Sequence, residues 1–259
     1  MNVELLFLGT GTSAGVPMIG CHCEICRSTD PHDKRTRPSV LISYGSTSVL
    51  VDASPELRLQ CVNNDINRID AVVFTHAHAD HIMGLDDVRR FNALSGKPLD
   101  VWADSTTHES LSRCFGYAFG DPRPEEKTFR PNLRKKSIAG SFSIGDASWT
   151  PVPLYHGDMP ILGFRVGNLA YCTDVSRIPE ESFSLLTGLD VLVLDALQYK
   201  IHATHFSVEQ AIDAATRIGA RQTLFTHIAH SLPHAATNAK LPSTMQLAYD
   251  GQRISATLK

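Results

Sequence analysis

Three imidazoles and one carboxylate fall within the six residues His76-Ala77-His78-Ala79-Asp80-His81. Imidazole nitrogen and carboxylate oxygen together suit borderline divalent cations such as zinc or manganese. The stretch follows the apolar run Ala71-Val72-Val73-Phe74, which reads as a buried strand, and Gly84 comes just after it. A lone histidine at a strand end is ordinary packing or solvent contact. Such density at one strand end fits metal coordination instead.

More candidate ligands close later apolar runs. Trp149–Tyr155 leads into His156, Leu169–Thr173 into Asp174, and Thr223–Thr226 into His227. Together with His76, His78, Asp80 and His81 these make five imidazoles and two carboxylates, too many for one tetrahedral ion and enough for two. A two-metal centre needs a bridging carboxylate and supports hydrolysis by a shared hydroxide.

A second cluster, Cys21-His22-Cys23-Glu24-Ile25-Cys26, holds three thiols in six residues. That is the density of a closed, structural zinc site lacking one ligand, and a zinc clip would order a loop running from about 9 to 38. A Cys23–Cys26 redox pair and unreactive surface thiols are the competing readings. The Gly-rich turn Gly9–Gly15 has no phosphate-loop lysine and reads as a tight turn. His205 precedes the amphipathic segment Ser207–Ile218, whose N-terminus would favour an anion; a capping or surface role is the bland alternative.

The elements that must position these residues alternate between short apolar strands and helices. Val49-Leu50-Val51-Asp52 is echoed by Leu192-Val193-Leu194-Asp195, and Val72-Val73-Phe74-Thr75-His76 by Thr223-Leu224-Phe225-Thr226-His227. Two such halves packed sheet on sheet, with helices outside, make an α/β four-layer αβ/βα sandwich spanning 1–259 as one domain. Between Gly116 and Lys136 the pattern dissolves into prolines and charges, which reads as a lid or a dimer-contact arm.

The pattern resembles the metallo-β-lactamase superfamily, whose hallmark His-x-His-x-Asp-His is followed by a distant His, Asp and His. The resemblance implies that His76, His78 and His156 hold one metal, that Asp80, His81 and His227 hold the other, and that Asp174 bridges. An Asp at that bridge is similar to the hydrolase and phosphodiesterase branches. Gly9–Pro17, the three clustered cysteines and Arg35-Thr36-Arg37-Pro38-Ser39 resemble the phosphoribosyl 1,2-cyclic phosphate phosphodiesterase family of the carbon–phosphorus lyase pathway. This implies His230 as the fourth ligand of a structural zinc with Cys21, Cys23 and Cys26. It also implies that His205 contacts phosphate and protonates the leaving oxygen.

The resulting expectation is a phosphoric diester hydrolase acting on a small, cyclic sugar phosphodiester through a metal-bridging hydroxide. Asp80 and His205 are its catalytic residues, with two divalent ions (Zn, Mn or Fe) at the active site and one structural Zn. Thioester hydrolysis of the glyoxalase II kind is the alternative, as is a binding role like that of the pyrroloquinoline-quinone biosynthesis protein. A net charge of −3 gives no overall basic surface for nucleic acid. No run is long and apolar enough for a membrane span, and the N-terminus shows no export signal, so a cytoplasmic protein is expected, with a homodimer as a candidate assembly.

Overall fold

The computed structural model describes residues 1–120 and 129–258. One sheet is built from β1 (Asn2–Gly9), β2 (Ser39–Tyr44), β3 (Thr47–Val51), β4 (Ala71–Val73), β5 (Leu99–Ala103) and β6 (Leu133–Ser137). The other holds β7 (Phe142–Ile144), β8 (Ala147–His156), β9 (Met159–Val166), β10 (Leu169–Cys172), β11 (Val191–Asp195), β12 (Gln222–Thr226) and β13 (Met245–Leu247). The last strand, β14 (Arg253–Thr257), returns to pair with β1, so the first sheet runs β14-β1-β2-β3-β4-β5-β6 and the second β13-β12-β11-β10-β9-β8-β7. In each, one half is antiparallel and the other parallel; β3 to β6 and β10 to β13 are the parallel halves.

Strands buried on both faces explain the near-continuous apolar runs, and their side-chain alternation sets the layering. Val3, Leu5 and Phe7 of β1 face the cluster between the sheets, while Leu6 and Leu8 face outward. Likewise Val191 and Val193 point between the sheets and Leu192 and Leu194 point away. Helix α1 (Glu24–Arg27) lies in the cysteine-bearing loop and α6 (Glu180–Phe183) precedes β11, and other helices cover the outward faces. Against the first sheet lie α2 (Leu57–Asn63), α3 (Ala79–Ile82), α4 (Arg89–Ser95) and α5 (Ser105–Phe115), through Leu57, Ile82, Phe91 and Leu111. Against the second lies α7 (Val208–Ile218), through Val208, Ala211, Ala215 and Ile218. This is the αβ/βα sandwich expected from the internal echo. Between the sheets, Trp149 Nε1 donates to Tyr44 Oη at 2.9 Å and Tyr44 Oη donates to the Ile144 carbonyl at 2.7 Å, so the polar atoms of these two buried aromatics are satisfied.

One expectation needs correcting. The stretch from 116 to 136 is not a continuous loop, because Leu133–Ser137 is the edge strand β6, parallel to β5. Arg134 and Lys135 are exposed there and only Leu133 is fully buried, which is how sheet edges are kept from pairing with other chains. The expected lid or arm falls partly on 121–128, outside the described residues. Two short C-terminal strands, β13 and β14, were not anticipated from the pattern. Among the described residues no helix is long and apolar enough to cross a membrane.

Candidate metal centre and substrate cleft

The carboxyl ends of β3, β4, β8, β10, β11 and β12 deliver Asp52, His76, His156, Asp174, Asp195 and His227 respectively, all buried. Three of these residues turn the chain in the left-handed region: Asp52 (φ 61°), Asp174 (φ 60°) and His227 (φ 59°). Asp and His tolerate that region better than most side chains, yet it costs about 1–3 kcal/mol each and persists where the surroundings demand it. The loop carrying His76 to His81 closes onto the end of β3, with Gly84 N–H donating to the Ala53 carbonyl. A Cβ at Gly84 would lie 1.9 Å from the Ser54 carbonyl oxygen, so only glycine permits this approach.

Two ligand sets result. His76, His78 and His156 bring one nitrogen each to a common point, and so do the ligand atoms of Asp80, His81, Asp174 and His227, within 4.8 Å of one another in each set. His81 Nε2 lies 3.4 Å from both Asp80 Oδ2 and Asp174 Oδ1; His227 Nε2 lies 3.2 Å from Asp174 Oδ2 and 3.6 Å from Asp80 Oδ2. Ligands ~2.0–2.1 Å from a zinc ion stand about 3.3 Å apart around a tetrahedron, so these spacings fit a metal. The buried Nε2 atoms of His76, His81 and His227 make no hydrogen bond among the described residues, which a cation would remedy.

Burial alone would raise the Asp174 carboxyl, but His227 and His81 outweigh it and hold it well below the carboxylate range. Burial likewise works against the charged His81, yet Asp174 and then Asp52 raise it well above its ordinary value. His76, dominated by burial, is pushed well down. The centre thus keeps its carboxylates ionised and calls for positive charge, which protons on His81 and His227 or a metal cation can meet.

Two buried aspartates that pattern reading did not assign orient the imidazoles around them. Asp52 accepts from Thr75 N–H at 2.9 Å, from Thr75 Oγ1 at 2.8 Å and from His81 Nδ1 at 2.7 Å. Asp195 Oδ2 accepts from His205 Nδ1 at 2.7 Å. Both were visible only as the echoed strand ends. His205 stacks on His227 (ring centroids 4.5 Å apart, 15° between planes) and meets His156 edge-on at 4.5 Å. Burial, and next the charge of His227, holds His205 down to about 4, while burial pushes Asp195 up, and a 2.7 Å contact joins the two side chains. The start of α7 is satisfied internally by a capping box between Ser207 and Gln210, which weakens the idea that its N-terminus alone attracts an anion.

Outside the His cluster lies an open cleft of about 670 Å³, lined in part by His78, His156, Ser176, Arg177 and His202. Cys21, Cys23 and Cys26, none of which lines that cleft, surround His230, with Sγ atoms 3.3, 3.3 and 3.6 Å from its Nδ1. About 3.5 Å separates sulfur and nitrogen ligands around a tetrahedral zinc, so this cluster also fits. The Cys26 backbone N–H, and then His230, draws the Cys23 thiol down to about 6, favouring the thiolate that a metal needs. The Gly-rich turn serves this region by close approach: a Cβ at Gly9 would sit 2.0 Å from the Arg37 carbonyl. Arg35, 1 % exposed, donates to the carbonyls of Ala229 and Leu232 and pairs with Asp33, tying the clip loop to the segment after His227.

Comparison with known proteins agrees with this architecture. Residues 47–228 match the family described as "Beta-lactamase superfamily domain". A crystal structure of a diphosphatase from the PhnP family superposes with a TM-score of 0.92 at 42% identity, over 98% of this chain and 97% of that one. Zn²⁺-bound PqqB from Methylobacterium extorquens shares the fold, with a TM-score of 0.80 at 22% identity over 97% and 99% of the two chains. An octanoyltransferase of Porphyromonas gingivalis is 36% identical over 253 residues, 96% of this chain but 51% of that protein, so the chain spans about half of it. On the matched domain, the sandwich topology and the near-complete overlap with a PhnP-family structure, the chain belongs to the metallo-β-lactamase superfamily.

Proposed function

We propose that this metallo-β-lactamase-fold hydrolase cleaves small phosphodiesters, cyclic sugar phosphodiesters foremost, at a two-metal centre. The observation that carries the reading is the His205–Asp195 pair set against His156 and His227, at the rim of a complete dinuclear ligand set. Thioester hydrolysis has no need of such a proton donor beside the metals, whereas an alkoxide leaving from phosphorus does.

His76, His78 and His156 would hold one cation, Asp80, His81 and His227 the other, and Asp174 would stand between them. What divalent cations supply there is Lewis acidity toward the phosphoryl oxygens and a lowered pKa for water. The chain's own residues do the rest. Asp52 fixes the His81 ring by taking its Nδ1 proton contact, so Nε2 faces the centre. His156 is fixed in the same way by the Thr204 carbonyl at 2.6 Å. Asp80 and Asp174 bring carboxylate oxygens within 3.6 and 3.2 Å of His227 Nε2, where they would orient the attacking water. Asp195 holds His205 by Nδ1 and leaves Nε2 free, so that His205, once the negative charge of a bound substrate raises it from its depressed value, can protonate the departing oxygen. Cys21, Cys23, Cys26 and His230 would hold a structural zinc that orders the loop from about 9 to 38.

A second reading within the same chemistry is hydrolysis of a diphosphate diester, favoured by the 42% identical structure described as a diphosphatase. Acyl transfer remains a property of the longer octanoyltransferase. Turnover of ribose 1,2-cyclic phosphate, ADP-ribose and S-lactoylglutathione by the metal-loaded protein tests the proposal. Cleavage of either phosphate compound with no thioester turnover is expected; cleavage of the thioester alone would overturn it.

A further inference from the structure

We infer that the apolar groove between α2 and α4 is a ligand site separate from the metal centre, and that it takes a small amphipathic anion, an aliphatic chain ending in a carboxylate. Such a site is independent of the bond that the metal centre cuts.

The groove encloses about 490 Å³, within the range that small ligands occupy, and none of its lining residues lines the metal-centre cleft. Its floor is apolar: Leu57 and Cys61 of α2 and Phe91 of α4 line it and are themselves buried. Burial, and then Asp87, pushes the Cys61 thiol up to about 12, so it stays protonated and packs as a small apolar group. Above the floor stand Val62, Leu94 and Phe129, which are 62, 51 and 61 % exposed. Single exposed apolar residues are ordinary, but three around one concavity mark a surface that a ligand covers.

The rim is cationic. Arg58, Arg89 and Arg90 line the groove against the single carboxylate of Asp87. Arg89 is engaged, paired with Asp86 and set over the Phe129 ring at 5.4 Å. Arg58 and Arg90 are exposed and make no ion pair among the described residues, so their N–H donors remain for a ligand. An apolar floor below unpaired guanidinium groups complements a chain with an anionic head, and a planar guanidinium meets a carboxylate in bidentate fashion. A second copy of this chain fits worse, because a two-fold contact through this face would set the same three arginines against one another. A membrane surface also fits worse, because the apolar floor lies in a concavity rather than on a projecting face.

Calorimetric titration of the metal-loaded protein with decanoate, and with decanol as its uncharged counterpart, tests the site. Decanoate should bind saturably and roughly 10-fold or more tighter than decanol, and that preference should all but vanish in Arg58→Gln/Arg90→Gln. Leu94→Gln, at an exposed position that leaves the core intact, should weaken both ligands by roughly 10-fold. Bound decanoate should also slow alkylation of Cys61, read by peptide mass spectrometry, and leave that of the exposed Cys114 unchanged. This protection separates the groove from carboxylate binding at the metals. No saturable binding, or binding indifferent to all three substitutions and to Cys61, would overturn the assignment. So would a dimer in sedimentation velocity that Leu94→Gln dissolves, which gives the face to a second copy. Pelleting with phosphatidylglycerol vesicles that is lost in Arg58→Gln/Arg90→Gln would overturn it in favour of a membrane.

Discussion

Asp52 and Asp195 occupy corresponding positions in the two halves of the sandwich, each closing an apolar strand next to a His-bearing one. Each accepts from an imidazole Nδ1 at 2.7 Å. Their surroundings differ. Asp52 is saturated, taking two further bonds from Thr75, and its histidine faces the carboxylates of Asp80 and Asp174. Asp195 leaves Oδ1 without a hydrogen bond, and its histidine stands outside the two main ligand sets, stacked at their edge. One local device therefore appears twice, once on His81 within a candidate ligand set and once on His205 at its edge, where the proposed function makes it the support of a proton donor. In that proposal the number of hydrogen bonds on the carboxylate separates the structural use from the chemical one.

Replacing each aspartate by alanine tests that division. Asp52→Ala should be the more damaging, losing about 3–5 kcal/mol in urea unfolding because a buried charged partner of His81 is left alone. It should also weaken occupancy of the Asp80–His81–His227 set by roughly 10- to 100-fold in metal titrations. Asp195→Ala should cost about 1–3 kcal/mol and retain both metals while turnover collapses. Equal metal loss in the two variants would erase the distinction. Removing the clip comes next: Cys23→Ser should lower metal content by one equivalent and the Tm by about 10 °C, with the dinuclear pair still loaded. The smallest effect is expected for Ser207→Ala, which breaks the capping box behind His205 and should cost about 1 kcal/mol by thermal unfolding.

The parts of this site that can be read without coordinates are those whose chemistry is dense along the chain. His76 to His81 and Cys21 to Cys26 announce candidate ligands by spacing alone, and His156, Asp174 and His227 stand directly behind apolar runs. Asp52 and Asp195 resist such reading because a single Asp after a strand is equally a turn residue; only the three-dimensional pairing with His81 and His205 reveals their work. Strand β6 was hidden by Arg134, Lys135 and Lys136, which belong to an exposed edge rather than to a loop. The short strands β13 and β14 bury few of their residues and so lack the apolar runs that mark the central strands.

The most direct test of the two-metal, proton-donor mechanism is the leaving-group dependence of His205→Ala. In metal-loaded protein with both ions retained, turnover of phosphodiesters with alkoxide leaving groups should fall about 10²- to 10⁴-fold, while p-nitrophenolate esters, which need no proton, should be affected far less. Equal losses on both kinds of ester, or no loss on either, would contradict His205 as the donor.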